Sequence, residues 1–126
     1  MPGVTWKEIS RENLVAAKSL VLDARWRSSV SRAYYAAYAA VAGELDGLAA
    51  YPRGRFGPSH DLLPQIVVTY LTNLRLHDRR TIAAAARRLY RYRIAADYEP
   101  PRTVGQTEAT ESIRDASFVM RKIANG

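Results

Sequence analysis

The chain has 126 residues, a formal net charge of +7 and a pI near 10.1, enough for one hydrophobic core but too short for a separate catalytic domain. It contains no cysteine, which excludes disulfides, thiolate metal sites and cysteine nucleophiles, and suits a reducing compartment. The charge points to a polyanionic partner, although only Lys7, Lys18 and Lys122 among the 19 Lys and Arg are Lys and a preference for Arg produces the same balance.

The first residues lack the basic region and apolar run of a secretory signal. The longest apolar stretches, 34–43 and 82–86, are Ala-rich, short and flanked by charge, so neither spans a bilayer. A cytoplasmic protein without a membrane partner is expected.

Thr5 followed by Glu8 makes a capping-box pattern, with Ser10 and Asn13 a second possible start. Ile9, Leu14, Ala17, Val21 and Leu22 then recur at helical spacing, which predicts a first helix ending near 23–26. A second helix is predicted over about 28–48. Val30, Tyr34, Ala37, Val41 and Leu45 form its apolar stripe, Ala residues offer a close approach, and Tyr35 and Tyr38 widen the surface so that it packs on two sides. Pro52, Gly54, Gly57 and Pro58 mark a loop over 49–59, which carries Arg53 and Arg55.

Ser59 is a candidate cap for a third helix, with Leu62, Leu63, Ile66, Val67, Tyr70, Leu71 and Leu74 as its buried face. The β-branched run 66–69 favours a strand taken alone, but its spacing into Leu71 and Leu74 favours helix. Asp78 is a candidate cap for a fourth helix with Ile82, Ala85, Ala86, Leu89 and Ala96 inward, stopped by Pro100 and Pro101. Thr107 opens a fifth, which presents Ile113, Ala116, Met120 and Ile123. The fold class expected is all-α, an antiparallel bundle of four to five helices in one domain over 1–126, with no strand of consequence.

The string Ser31-Arg32-Ala33-Tyr34-Tyr35-Ala36-Ala37-Tyr38 resembles the SRAYYA helix of small prokaryotic HEPN domains. The string 89–98, ending Arg93-Ile94-Ala95-Ala96-Asp97-Tyr98, is similar to their R-x-x-ADY motif, and Ser59-His60-Asp61 stands where many relatives place a His. The similarity spans about 8–124. It implies a helical bundle that dimerises, a pairing with a minimal nucleotidyltransferase in toxin–antitoxin modules, and for many relatives a metal-independent ribonuclease activity. In those nucleases an Arg and a His with four to six residues between them, often followed by a Tyr, form the active motif at the fourth-helix end of a cleft shared by two subunits. Here Asp97 and Tyr98 stand where that motif has His and Tyr; the spacing is met instead by Arg55 and His60, in the loop before the third helix.

Taken as chemistry, His60 is suited to proton transfer near neutrality, and Arg53 and Arg55 supply cations for a phosphate. The catalytic candidates are therefore His60 and Arg55; the plainer alternative makes His60 a surface residue at a helix start or a partner of Asp61. His77 lies in a turn and needs no functional role. The segment 75–93 holds seven Arg against one acid, Asp78. Arg53, Arg87, Arg88, Arg91, Arg93, Asp97 and Tyr98 are candidates for contact with RNA or for lining the cleft, with Tyr90 and Tyr92 available to stack on bases; the plainer alternative is a solvated face paired with acidic neighbours. Arg93 and Asp97 are spaced for an i,i+4 pair, and Arg32 and Tyr35 are structural or cleft residues, Arg32 being expected to reach Asp97. Under the resemblance, Tyr98 can accept an adenylyl group from a nucleotidyltransferase.

Two His and no Cys leave no metal site, and no cofactor is expected. The partners expected are a second copy of the chain, a nucleotidyltransferase and RNA. Two functions stay open: an RNA-associated HEPN-like member of a toxin–antitoxin or defence pair, ribonuclease or nucleotidyltransferase partner, and a noncatalytic dimeric helical adaptor. The Tyr- and Ala-rich second helix has more apolar surface than one bundle contact uses, which is the reason to expect pairing.

Overall fold

The computed structural model describes residues 3–48, 51, 53–54 and 57–126, with backbone alone for 53–54. It is an all-α bundle of five helices: α1 (Trp6–Leu22), α2 (Trp26–Asp46), α3 (Leu63–Tyr70), α4 (Leu76–Tyr98) and α5 (Gln106–Asn125). Between α2 and α3, β1 (Arg53–Gly54) pairs antiparallel with β2 (Gly57–Pro58). That two-residue ladder is the only strand structure among the described residues.

Helix α1 begins where its capping signal stands, Thr5 Oγ1 accepting from the Glu8 amide at 3.1 Å. It packs against α2, which in turn meets α4 and α5. The predicted α2 stripe of Val30, Tyr34, Ala37, Val41 and Leu45 is buried throughout, and Ala33, Ala36, Ala39 and Ala42 are buried as well. These small side chains let α1 approach closely enough for two buried serines to bond across: Ser10 Oγ donates to Ala36 O at 2.6 Å, and Ser29 Oγ to Ala17 O at 2.8 Å. Each such bond contributes about 1 kcal/mol net.

Five expectations are corrected. Ser59 does not cap α3: residues 60–62 form a turn, the helix starts at Leu63 with Pro64 in its first turn, and the Ser59 hydroxyl donates to Asp61 at 2.5 Å. Leu62 therefore lies outside the helix and is 43% exposed, while Leu22, past the last turn that packs, is 86% exposed. Asp78 is not the α4 cap; Arg75 holds that position, and Asp78 in the first turn accepts from Arg75 and lies 3.4 Å from Lys122 of α5. Gly105, one turn ahead of Glu108, starts α5 in place of Thr107, its amide donating to Glu108 Oε2 at 3.0 Å.

Two arginines tie helix ends to the rest of the fold. Arg79 donates to Val68 O at 2.6 Å and Leu74 O at 3.1 Å, satisfying carbonyls at the end of α3 and in the following turn. Arg27 of α2 reaches the last turn of α4, donating to Ala95 O at 3.0 Å, Ala96 O at 3.1 Å and Pro100 O at 3.0 Å, with Arg102 O a further acceptor. A cation at orphan C-terminal carbonyls answers both their hydrogen-bonding capacity and the helix dipole. Arg27→Ala is expected to lower the unfolding free energy by about 1–3 kcal/mol, measured by urea denaturation; a loss below about 0.5 kcal/mol, the range of an ordinary surface substitution, would contradict this role.

Candidate functional site

The loop before α3 is shaped by its approach to α2. Tyr38 Oη donates to Pro58 O at 2.6 Å, and Gly57, with φ at +138°, lies so close that a Cβ there would sit 2.8 Å from the Tyr38 hydroxyl oxygen. Only glycine meets both demands easily. The ladder and this contact deliver His60 to the tyrosine face of α2, where its ring stacks on Tyr38 at 4.3 Å between centroids and 19° between planes. His60 Nδ1 lies 2.6 Å from Tyr34 Oη, leaving Nε2 as the ring nitrogen not committed to Tyr34. Thus His60 is half-buried against Tyr34 and Tyr38, and the Asp61 carboxylate takes the Ser59 hydroxyl.

Arg93 approaches the same cluster from α4. Its Cζ lies 5.6 Å from the Tyr34 ring centroid and 5.4 Å from that of Tyr35, within cation–π range, and its Nη2 donates to Tyr35 Oη at 2.9 Å. Nε lies 3.1 Å from Asp97 Oδ2, an ion pair too oblique for a straight hydrogen bond. Asp97 also accepts from Ser31 Oγ at 3.2 Å. The predicted i,i+4 pair is present, but the link from α2 to Asp97 is made by Ser31; Arg32 donates to Asn13 Oδ1 of α1 at 3.3 Å instead.

Burial first, and then the positive charge of Arg93, holds the His60 imidazole below its ordinary pKa, against a smaller opposing pull from Asp61. Burial raises Tyr34 as well, and pushes Tyr38 up to about 12. At neutral pH the cluster therefore pairs a neutral imidazole with neutral phenols beside a guanidinium.

Two cavities open beside the cluster. One, of about 480 Å³, is lined by Trp6, Ile9, Tyr35, Tyr38, Ala39 and His60, with Asn13 and Arg32 completing it. The other, of about 420 Å³, is lined by Arg27, Ser28, Ser31, Ala96, Asp97 and Tyr98, again with Arg32. Arg32 is exposed and borders both. Tyr98 is 65% exposed, its ring 5.4 Å from Arg93 Cζ.

The candidates His60, Arg32, Tyr35, Arg93, Asp97 and Tyr98 thus come together around α2 and the end of α4. Arg55 lies outside the described residues, and Arg53 is described only as backbone in β1. Arg87, Arg88 and Arg91 are exposed and line neither cavity. Arg88 is held by Asp115 of α5 through two bonds at 3.0 and 2.9 Å, the plainer reading of that face. Tyr90 and Tyr92 are not free to stack on bases, since Tyr90 packs against the core 5.8 Å from the Tyr34 ring and Tyr92 donates to Glu111 at 2.7 Å. His77 is exposed at the start of α4. Sequence reasoning missed Trp6 and Ser31 as lining residues and left Tyr34 as core. The available signal was three tyrosines on one helix, whose hydroxyls need partners when buried.

Among the described residues no group of three His, Cys, Asp or Glu is placed to hold a metal ion, and no helix is long and apolar enough to cross a membrane. A family model described as the HEPN domain matches residues 4–125. No curated protein and no solved structure matches the chain.

Because the folded pKa of His60 lies below the unfolded value of 6.5, the unfolded chain binds the extra proton as pH falls between these two values. Stability therefore drops through that window on acidification. The fall is expected to be shallower in His60→Gln, compared by denaturant titration from pH 7 downward. Parallel curves would show that the imidazole is not shielded.

Proposed function

Since the chain belongs to the HEPN domain family, we propose that it is the RNA-directed member of a toxin–antitoxin or defence pair and a metal-independent endoribonuclease with His60 as its proton acceptor. One observation carries this reading: a half-buried imidazole, fixed by Tyr34 and Tyr38 and kept neutral at pH 7, lines a groove bordered by the exposed Arg32. A neutral imidazole is the form that accepts a proton.

In the reaction, His60 takes the proton of an RNA 2′-hydroxyl, with Nδ1–H held on Tyr34 and Nε2 accepting. The O2′–P bond forms and the P–O5′ bond breaks, giving a 2′,3′-cyclic phosphate. The departing 5′-oxygen takes a proton from water, and the imidazolium returns its own to the hydroxide left behind. Arg32 is the exposed cation beside the phosphate, and Arg93, fixed by Asp97 and Tyr35, holds the local potential positive. Metal independence is carried over from the family. The expected partners are a second copy of the chain and a minimal nucleotidyltransferase, for which Tyr98, exposed at the end of α4, is the candidate modified residue.

The second reading, a noncatalytic helical adaptor, is favoured by the fact that these polar groups find partners inside the chain: Tyr34 meets His60, and Arg93 meets Tyr35 and Asp97. To separate the two, single-stranded RNA is incubated with the purified protein in EDTA. Cyclic phosphate ends are expected, with a rate that His60→Ala lowers about 10²-fold or more and whose acid limb has its midpoint below 6.5, following the lowered pKa of His60. Cleavage unchanged in the variant removes His60 from the mechanism, and an inactive wild-type protein freed of any partner favours the adaptor.

A further inference from the structure

The two cavities differ in chemistry and meet at one residue. The first is walled by half-buried Trp6 and Tyr35, with Ile9 and Ala39 supplying apolar surface and His60 at its edge. Flat aromatic and apolar walls receive an unstacked base. The second is polar, with Ser28, Ser31 and the Asp97 carboxylate, and its one aromatic wall is the exposed Tyr98. Each is in the size range of small-molecule sites. Between them, Arg32 makes a single side-chain bond among the described residues, at 3.3 Å to Asn13, so most of the donors of its planar fork face no partner among those residues. That geometry suits phosphate.

We propose that these cavities form one groove for two successive unpaired ribonucleotides, the linking phosphate lying on Arg32. The proposal rests on the RNA-directed reading above and adds the form and direction of the substrate. His60 lines the aromatic cavity, so the 2′-hydroxyl within its reach belongs to the nucleotide stacked there. A 2′-oxygen attacks the phosphate on its own 3′ side, which places the aromatic-cavity nucleotide 5′ of Arg32 and its neighbour in the polar cavity against Tyr98. Asp97 repels a phosphate from the polar cavity and accepts from sugar hydroxyls or base amino groups there, keeping the phosphate at Arg32. A duplex is excluded because both bases must leave their stack to reach these walls.

The test follows the indole N–H resonance of Trp6, which donates to Asp46 at 2.9 Å beside the aromatic cavity, in NMR titrations of the intact protein. The probes are a 2′-O-methylated dinucleoside monophosphate, which cannot be cleaved, an adenosine 3′-monophosphate, and a 2′-O-methylated duplex. Both single-stranded probes shift the Trp6 resonance, the dinucleotide binding about tenfold or more tightly than the mononucleotide. Arg32→Ala weakens both probes about tenfold and Arg32→Lys restores part of the loss, while Tyr98→Ala weakens only the dinucleotide. An unmoved Trp6 resonance, equal affinity for the two single-stranded probes, duplex binding as tight as theirs, or wild-type binding by Arg32→Ala and Tyr98→Ala each overturns the proposal. The binding pattern without any RNA cleavage leaves the groove standing and removes the catalytic reading; His60-dependent cleavage that Tyr98→Ala leaves intact does the reverse.

Discussion

Helix α2 is enclosed by α1, α4 and α5, and it carries three tyrosines in five residues. A hydroxyl enclosed without a partner costs about 1–3 kcal/mol, so enclosure of this helix obliges the surrounding elements to supply polar groups at fixed places. Pro58 accepts from Tyr38, His60 meets Tyr34, and Arg93 donates to Tyr35. The loop before α3 and the end of α4 are thereby referred to one helix face. The positions of His60 and Arg93 follow from what α2 buries.

The same constraint gives these groups their chemistry. Burial disfavours a charged imidazole, and the guanidinium that answers Tyr35 adds repulsion. Asp97 balances Arg93 on its far side, with Ser31 holding the carboxylate. The Arg93 side chain is largely enclosed, and removing its partner would leave that charge uncompensated, so fold and site are hard to separate at Arg93. They separate at Arg32 and Tyr98, which are exposed yet border the groove.

Helical periodicity made the bundle legible: the α2 stripe is buried at every position named from spacing, and Ile82, Ala85, Ala86 and Leu89 face inward on α4. Spacing along one helix also gave the Arg93–Asp97 pair, since an i,i+4 relation is local. It failed wherever the partner lies on another element. Neither the bond from Ser31 to Asp97, the α4 carbonyls held by Arg27 nor the meeting of His60 with Tyr34 has any spacing to read. Periodicity points Leu22 and Leu62 inward because it does not register where packing ends, and both are exposed. The α2 surface named for pairing is spent on α1, α4, α5 and the His60 loop, so the proposed second copy of the chain rests on the family resemblance.

The account turns on one side chain being both enclosed and poised, the His60 imidazole between Tyr34, Tyr38 and Arg93. An NMR pH titration of the His60 ring protons, assigned with the aid of His77→Gln, measures this directly. A midpoint below 6.5 is expected, since burial and the charge of Arg93 both disfavour the imidazolium. A midpoint at or above 6.5 would mean that the imidazole is solvated and free of the Arg93 field, and would contradict the central claim.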